Sequence, residues 1–486
     1  MSKLVIVSNR LPVVAHRSKK DQWQFKPGSG GLVTALSPVL RDRGGLWIGW
    51  TGMAGSQVLQ NSLRKGEEES GYSLRTVELT QNEIEKYYRG FSNEILWPLF
   101  HDLVSRCNFN PAYWNIYRQV NRKFAEKIAE NTEENDYIWI QDYHLALVAE
   151  ELKRIGVKRK TGYFLHIPFP PLGIFLKLPW RSEILHGLLE YDLIGFQTMG
   201  DRRNFIQCLK TLDPGVRVSG TGQVCQAMIG RRAVRIGTFP ISIDYKDFEV
   251  QAKSEIVAKQ AWIIHANLPN RCLLLGIDRL DYTKGIPNRL YALDRVFKKY
   301  PKLKRKITLV QIVIPSRTEV PEYQELRREI EELVGRINGR YTEVGWAPIS
   351  YQFRALTRTE LLGYYRTSEI ALVTPLKDGM NLVAKEYCTC NIEGNGVLVL
   401  SEFAGAAAQF QNNALMVNPH DIDGMAEAIF HAYHMDLEDR KTRMSRMRRM
   451  IQRRDVFEWV NSFLRAGISR DLSDFPPIED YMPPIK

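Results

Sequence analysis

The sequence predicts an α/β fold made of two doubly wound, Rossmann-like domains. The chain has 486 residues, whereas one hydrophobic core stops growing at roughly 250–300 residues. Short, continuous apolar segments alternate with amphipathic segments, which is typical of parallel sheets covered by helices on both faces. The alternation stops over residues 213–250 and then restarts. We therefore expect two domains, with a boundary near Lys246.

The first domain, residues 1–245, contains apolar segments that predict buried strands, each followed by a loop and a helical stretch such as residues 145–154. We expect these strands at residues 4–7, 137–140, 162–165 and 193–196. Residues 213–250 are less regular, and within them residues 238–244 are expected to form a connector whose turn is fixed by Pro240.

The second domain, residues 246–455, repeats the pattern. We expect its strands at residues 272–276, 307–311, 370–373 and 396–400 and its helices at residues 287–299, 320–336, 359–366 and 421–433. In doubly wound sheets, ligands bind outside the carboxyl ends of the strands. Polar residues that directly follow these strands are therefore the candidates for function.

Composition excludes several classes of protein. Hydrophobic residues make up 44% of the chain and charged residues 25%, which excludes disordered, collagen-like and coiled-coil proteins. The apolar start is too short for a signal peptide, and no apolar run approaches the ~18 residues of a membrane span. The six cysteines lack CxxC pairs, which indicates a reducing compartment and no metal site. We expect a cytoplasmic protein.

The net charge of +12 comes largely from one segment. Residues 440–454 contain eight basic residues and no acidic one, and Met444, Met447 and Met450 recur at three-residue spacing. This spacing predicts a helix with one apolar stripe and a basic remainder. The basic face is either a solvated surface, which we favour, or a contact for an anionic partner or another subunit. A single helix without interleaved aromatic residues argues against nucleic-acid binding.

The first strand-end motif of the second domain spans residues 276–285. Arg279 and Lys284 would stand at the carboxyl end of a strand beside a helix N-terminus, where cations and the helix dipole can hold a diphosphate. The alternative is that both are surface bases paired with Asp278 and Asp281.

A second strand-end motif lies in the same domain, at residues 374–386. Asp378 begins a tight turn, a helix is expected to start near Asn381, and Glu386 lies about one turn into that helix. The loop amides can bind phosphates or sugar hydroxyls, and the carboxylate can bind a ribose. An Asp-Gly turn alone indicates only an ordinary loop, but together with the preceding motif it predicts one nucleotide site.

Three polar side chains follow strands of the first domain. Arg10, Asp142 and His166 would all lie at the carboxyl edge of one sheet, and residues 87–98 add aromatic groups that could wall a sugar. Each residue alone is more easily explained by packing, but three at one edge predict a ligand site.

The glycine-rich loop at residues 26–32 opens onto a helical stretch and is either a tight turn or a phosphate cradle. It fits neither GxGxxG nor a P-loop, so nicotinamide and ATP gain no support.

In combination, these motifs resemble the retaining GT-B glycosyltransferases that make trehalose 6-phosphate. The resemblance runs from Lys3 to about Gly467. It is carried, in chain order, by residues 8–12, 30–32, 45–50, 139–144, 166–170, 279–285 and 378–383. Gln141, where some members have histidine, and residues 14–26 depart from the family pattern. The resemblance implies two domains that face each other across a cleft, the first binding the acceptor and completed by a returning C-terminal segment at residues 456–486, the second binding the nucleotide sugar.

The resemblance also implies roles for individual residues. It implies donor binding by Gly31, Arg279, Lys284, Asp378, Leu382, Val383 and Glu386. It implies acceptor binding by Arg10, Tyr88, Trp97, Asp142 and Arg317. It implies catalytic roles for Asp142, His166, Arg279, Lys284 and Asp378. No cofactor or metal is expected, and the expected partners are small-molecule substrates and further copies of the chain rather than nucleic acid or membrane.

The implied reaction is transfer of glucose from a nucleotide-glucose, with UDP-glucose expected, to glucose 6-phosphate, with retention and formation of α,α-trehalose 6-phosphate. No carboxylate is identifiable as a nucleophile, so we favour front-face displacement, in which the leaving diphosphate accepts the acceptor's proton. Three alternatives stay open. The acceptor could differ, as in glucosylglycerol-phosphate or pseudo-sugar phosphate synthases; the chain could be a catalytically silent sugar-phosphate sensor; and the donor base could be guanine or adenine.

Overall fold

The computed structural model describes residues 3–17, 23–27, 31–55, 71–268, 270–317, 320–469, 475–476 and 478–483. The chain divides into two compact units, Met1–Ile241 with Val456–Ile478 and Ser242–Asp455 with Glu479–Lys486. The division falls slightly before Lys246, because the helix Tyr245–Lys253 packs on helices of the second unit. The last residues, 479–486, also belong to that unit rather than to the first, and the Tyr481 hydroxyl donates to Glu402 Oε2 at 2.9 Å.

The strands of the first unit include all four that the sequence predicts. In chain order they are β1 (Leu4–Arg10), β2 (Val13–Arg17), β3 (Trp23–Pro27), β4 (Leu46–Trp50), β5 (Ser73–Thr76), β6 (Tyr137–Gln141), β7 (Lys160–Phe164), β8 (Leu193–Phe196), β9 (Arg217–Ser219), β10 (Val224–Ile229) and β11 (Arg232–Thr238). Strands β2 and β3 pair with each other as an antiparallel hairpin.

The main sheet of this unit has nine strands among the described residues, in the order β5-β4-β1-β6-β7-β8-β11-β10-β9. Pairing is parallel from β5 to β11, so the carboxyl ends of β1, β6 and β7 lie at one edge. Residues 5–7 and 138–140 are almost completely buried, as expected for strands covered on both faces.

The prediction that residues 213–250 are irregular was wrong. They contain β9, β10 and β11, and β10 pairs antiparallel with both neighbours. The strands escaped detection because polar residues such as Arg217, Gln226 and Arg235 interrupt their apolar residues. The helix Tyr245–Lys253 follows, with Asp244 as its N-cap.

Helices cover this sheet. In the first unit they are Gly31–Arg43, Gln81–Glu83, the π-helix Ile84–Leu96, Trp97–Phe100, Pro111–Asn131, Val148–Arg154, Leu172–Phe175, Arg181–Leu189, Met199–Leu212 and the returning Val456–Ile468, with short 3-10 turns at Val104–Arg106 and Tyr143–Leu145. The last helix inserts Trp459 and Phe463 against the Trp139 ring, at 4.9 and 4.4 Å between centroids.

The second unit contains a sheet in which every pair of neighbouring strands is parallel. Its strands are β12 (Cys272–Arg279), β13 (Ile307–Ile314), β14 (Ile349–Phe353), β15 (Ile370–Val373), β16 (Val397–Ser401) and β17 (Leu415–Val417), in the spatial order β14-β13-β12-β15-β16-β17. All four predicted strands are present. The two edge strands β14 and β17 were missed because each is short and only partly buried.

The helices of the second unit include all four that the sequence predicts. They are Tyr245–Lys253, Glu255–Ala266, Ile286–Lys299, Pro321–Tyr341, Arg358–Thr367, Leu382–Cys390, Ala407–Phe410, Ile422–His434 and Leu437–Arg453, with 3-10 turns at Tyr282–Lys284 and Pro301–Leu303. No helix in the described ranges is long and apolar enough to cross a membrane.

The basic segment forms the helix Leu437–Arg453, with Met444 and Met447 buried as predicted. Two of its arginines form hydrogen bonds that stabilise the fold. Arg440 donates to the carbonyls of Ala432 and Tyr433 at the end of the preceding helix, at 2.8 and 2.9 Å. Arg448 contacts Glu249 Oε1 at 2.8 Å and the final carbonyls of the helix Leu382–Cys390. Guanidinium groups therefore cap two helix C-termini here.

Candidate functional site

Arg10 is the cation at the carboxyl edge of the first sheet. It ends β1, and its guanidinium carbon lies 4.2 Å from the centroid of the Trp50 ring and 5.2 Å from that of Tyr88. Gly52 makes room for it, because a Cβ at residue 52 would lie 1.6 Å from Arg10 Nη1. Among the described residues no carboxylate forms an ion pair with Arg10. A cation held by aromatic faces keeps its charge available for an anion.

Neutral hydrogen bonds fix the backbone beneath this cation. The Trp47 indole donates to Ser8 Oγ at 2.7 Å, and that hydroxyl donates to the Arg10 carbonyl at 2.6 Å. The Tyr87 hydroxyl donates to Asn9 Oδ1 at 3.0 Å. All of these groups except Arg10 itself are buried, so the end of β1 is held rigidly without any ion pair.

Asp142 and His166 lie together at the ends of β6 and β7. Asp142 has a positive φ of 75°, and its Oδ1 accepts a hydrogen bond from the His166 backbone N–H at 3.1 Å. The His166 imidazole Nε2 lies 2.8 Å from Gln141 Oε1. Burial lowers the pKa of His166 to about 3, so the ring is neutral at physiological pH.

An aromatic layer continues from Arg10 along this edge. The Tyr88 ring stacks on His144 with centroids 6.0 Å apart, and the Trp97 ring lies 5.8 Å from Tyr143. Asn93 joins the two pairs, since it accepts from the Tyr143 hydroxyl at 3.1 Å and donates to the Tyr88 carbonyl at 2.6 Å.

The structure thus brings together four of the five residues expected on the acceptor side, Arg10, Tyr88, Trp97 and Asp142. Tyr88 and Asn93 lie on a π-helix, a rare form that is frequently found at functional sites. His144 and Trp50, which also contact these residues, were not predicted from the sequence, because their contacts form only in the folded chain.

Two loops meet at the carboxyl edge of the second sheet. Leu376 N donates to the Thr283 carbonyl at 2.7 Å. Gly285, with φ of 63°, permits this approach, because a Cβ there would lie 2.5 Å from the Thr374 carbonyl oxygen. The contact brings Lys284 and Asp378 into an ion pair. Asn381 Nδ2 donates to the same Asp378 oxygen at 3.1 Å.

The Asp281 carboxylate lies near the three cations of this edge, Arg279, Lys284 and Arg317. It is almost fully buried and caps the turn Tyr282–Lys284, accepting from Thr283 N at 3.0 Å. Arg317 Nη1 lies 3.9 Å from Asp281 Oδ2. Burial raises the pKa of Asp281, but the charges of Arg317, Lys284 and Arg279 outweigh burial and lower that pKa overall. Arg317 therefore lies in the second unit, among the cations expected to bind the donor.

The alternative in which Asp278 pairs with Arg279 or Lys284 is wrong. Asp278 instead forms a buried ion pair with Arg289, at 2.7 Å between Oδ2 and Nη1. The same guanidinium donates to Gln311 Oε1 at 3.1 Å and to Thr374 Oγ1 at 3.1 Å. Arg289 thus forms hydrogen bonds with residues of β12, β13 and the end of β15. Arg279 forms no pair with Asp278, and its side chain is exposed at the end of β12.

The helix Leu382–Cys390 starts where the sequence predicts. Asn381 precedes it in the left-handed region, with φ of 68°, and its side chain does not cap the helix. The first-turn amides, which include those of Leu382 and Val383, can therefore bind an anion. Glu386 Oε2 accepts from the buried Tyr365 hydroxyl at 2.7 Å. Burial raises the pKa of Glu386, although this hydrogen bond acts against the rise.

Gly31 is the first residue of the helix Gly31–Arg43. Residues 28–30 of the glycine-rich loop lie outside the described residues, so the structure does not decide between a tight turn and a phosphate cradle. In the part of the chain that the structure describes, no group of three His, Cys, Asp or Glu side chains could hold a metal ion.

Comparison with known proteins gives the family. The model of glycosyltransferase family 20 matches residues 2–467. The chain belongs to glycosyltransferase family 20. A relative from Mycolicibacterium smegmatis, named trehalose-6-phosphate synthase, is 44% identical over 475 residues, which cover 96% of this chain and 92% of that relative.

Solved structures of the family agree with this fold. The α,α-trehalose-phosphate synthase (UDP-forming) of Burkholderia xenovorans, in complex with glucose-6-phosphate, is 35% identical with a TM-score of 0.86 and covers 96% of this chain and 100% of its own. A structure from E. coli with bound UDP-2-fluoro glucose is 37% identical with a TM-score of 0.85, covering 97% of this chain and 100% of its own. The predicted fold class, family resemblance and glycosyltransferase class are thereby confirmed.

Proposed function

We propose that this glycosyltransferase moves glucose, with retention, from UDP-glucose to glucose 6-phosphate and so makes α,α-trehalose 6-phosphate. The observation that carries the proposal is the presence of cations at the carboxyl edges of two separate sheets, because each substrate is an anion. The names of the relatives support the same reaction: the M. smegmatis relative is named trehalose-6-phosphate synthase, and the B. xenovorans neighbour is called UDP-forming.

The first unit supplies the acceptor side of the proposed site. Arg10, which contacts the Trp50 and Tyr88 rings, would form charge-assisted hydrogen bonds with the phosphate of glucose 6-phosphate. Tyr88, Trp97 and the Asp142 carboxylate would bind the sugar, since aromatic faces and carboxylates suit its C–H and O–H groups. The complex of the B. xenovorans neighbour with glucose-6-phosphate supports this choice of acceptor. Arg317 is proposed as a second cation for the acceptor phosphate.

The second unit supplies the donor side. Arg279 and Lys284 would bind the diphosphate together with the first-turn amides of the helix Leu382–Cys390, which include Leu382 and Val383. Glu386, oriented by Tyr365, would accept hydrogen bonds from the ribose. Asp378 would face the donor sugar, and Gly31 would approach the donor from the helix Gly31–Arg43. The E. coli neighbour with bound UDP-2-fluoro glucose supports a uridine diphosphate donor.

The proposed mechanism is front-face displacement. The bond between the anomeric carbon and the diphosphate oxygen breaks, and a bond to O1 of glucose 6-phosphate forms on the same face. The proton of that hydroxyl passes to the leaving diphosphate oxygen. Arg279 and Lys284 stabilise the negative charge that develops on the diphosphate, and preorganised groups of this kind contribute roughly 10²–10³-fold each. Asp142 and neutral His166 orient the two sugars rather than form a covalent intermediate.

The test is turnover of glucose 6-phosphate with UDP-, GDP- and ADP-glucose in separate assays. The product is identified by mass, and phosphatase treatment should then release trehalose. We expect UDP-glucose to give the highest kcat/KM. A panel of other sugar phosphates and glycerol phosphate distinguishes a different acceptor, and absence of turnover with every pair despite measurable binding would indicate a sugar-phosphate sensor.

A further inference from the structure

Gln141 is buried at the end of β6, beside His166. Its Oε1 lies 2.8 Å from the imidazole Nε2 of His166. Its Nε2 lies 3.5 Å from the Trp139 carbonyl oxygen. In this orientation the carbonyl oxygen of Gln141 faces His166. An oxygen acceptor requires a donor opposite it, and the proton of the imidazole therefore lies on Nε2.

The other imidazole nitrogen, Nδ1, has a lone pair. Among the described residues none donates a hydrogen bond to it. The rings of Phe164 and Trp459 pack against the imidazole, with centroids 4.7 and 6.1 Å away. The charged group that contacts His166 is Asp142, and it accepts from the backbone N–H rather than from the ring. The surroundings thus favour a neutral imidazole.

We propose that Gln141 is a positioning residue that holds His166 as the neutral Nε2–H tautomer, so that Nδ1 accepts a hydrogen bond from a hydroxyl of the donor sugar. This inference rests on the proposed function for the identity of the ligand, but the tautomer itself does not depend on it. An amide does not titrate, so the tautomer is independent of pH, which a histidine at residue 141 would not ensure.

The tautomer can be measured directly in the substrate-free protein. The nine histidines are labelled with ¹⁵N on the ring, and the His166 signals are assigned by their loss in His166→Ala. We expect a protonated Nε2 and an unprotonated Nδ1 at pH 7. In Gln141→Leu we expect a mixture of tautomers. A protonated Nδ1 in the unmodified protein would overturn the proposal, whether or not the chain makes trehalose 6-phosphate.

Kinetics test whether the tautomer matters. Gln141→Leu should lower kcat roughly 10–100-fold with a smaller change in the KM for glucose 6-phosphate. In Gln141→Glu, the carboxylate still accepts from Nε2–H but stabilises the imidazolium, so it raises the pKa of His166. That variant should approach normal activity at high pH and lose activity as the pH falls through the raised pKa, because an imidazolium Nδ1–H cannot accept. The pH profile of the unmodified enzyme should lack this loss of activity at low pH, which is called the acid limb below.

Gln197 offers a matched control. It is a buried glutamine of the same unit, and its Oε1 accepts from Ile241 N at 3.0 Å. Gln197→Glu should leave the shape of the pH profile unchanged. A double-mutant cycle completes the test: in the His166→Ala background, Gln141→Leu should cost less than about twofold in kcat. A full additional loss in that background, or the same acid limb in Gln197→Glu, would show that Gln141 acts on the fold rather than through His166.

Discussion

The carboxyl edges of the two sheets hold their cations by different physical means. At the first edge, the Arg10 guanidinium contacts two aromatic rings, and neutral hydrogen bonds fix the backbone beneath it. At the second edge, Lys284 and Arg317 lie beside the carboxylates of Asp378 and Asp281.

This difference predicts how each edge binds an anion. Among the described residues, Arg10 has no carboxylate partner that an anion would have to displace. Under the proposed function, Lys284 would share or exchange the Asp378 carboxylate for a diphosphate, which would leave Asp378 able to accept hydrogen bonds from the donor sugar. We therefore expect the first edge to bind an anion without rearrangement and the groups of the second edge to rearrange on binding.

The largest expected effect concerns stability. Asp278→Ala leaves the fully buried Arg289 guanidinium without its carboxylate, and breaking a buried ion pair costs about 3–5 kcal/mol. Ser8→Ala, at the first edge, removes only neutral hydrogen bonds and should cost about 1–3 kcal/mol. Urea unfolding of both variants measures the free energies of unfolding. If both variants lost the same free energy of unfolding, the two edges would not differ in whether ion pairs or neutral hydrogen bonds stabilise them.

The next effect concerns turnover. Lys284→Ala and Arg279→Ala should each lower kcat at least 10²-fold, because each removes a cation that faces the leaving diphosphate. Lys298→Ala is the control, since Lys298 pairs with Asp294 on an exposed helix face of the same unit. Near-normal turnover in both site variants, with the fold intact by circular dichroism, would contradict the assignment of these cations.

A smaller effect is expected at the first edge. Arg10→Ala should raise the KM for glucose 6-phosphate about 10–100-fold, which corresponds to a charge-assisted hydrogen bond of about 1.5–3 kcal/mol. Gly52→Ala should act in the same direction, because the new Cβ would occupy the position of Arg10 Nη1. Initial rates with glucose 6-phosphate and with glucose as acceptor check this. If unmodified enzyme used glucose equally well, no phosphate-binding role would remain for Arg10.

The smallest effect concerns the ribose. Tyr365→Phe removes the hydroxyl that donates to Glu386 and should raise the KM for the donor about threefold to tenfold. That hydroxyl also counteracts the rise in the pKa of Glu386 caused by burial. Without it the carboxyl protonates at higher pH, so the KM for the donor should rise more steeply as pH falls than in the unmodified enzyme. Parallel pH dependences for the two proteins would exclude this role.

The sequence predicted what depends on local pattern. Continuous apolar segments located the central strands, and the polar residues that follow them, Arg10, Asp142 and Arg279, lie at the carboxyl edges as expected. The same rule could not predict partners that meet only in the folded chain. Nothing local to Arg10 indicates the Trp50 ring, and Asp278 was weighed against its neighbours in sequence although its partner is Arg289. The π-helix escaped prediction because its apolar spacing resembles that of an ordinary helix.

The central claim is that Arg10 at the first sheet edge and Lys284 at the second bind different anionic substrates. Two-substrate initial rates for Arg10→Ala and Lys284→Ala test it most directly. We expect Arg10→Ala to raise the KM for glucose 6-phosphate and to leave the KM for UDP-glucose within about twofold. Lys284→Ala should lower kcat/KM for UDP-glucose and leave the KM for glucose 6-phosphate within the same limit. The account would be contradicted if both variants changed both constants equally, or if each changed the constant assigned to the other.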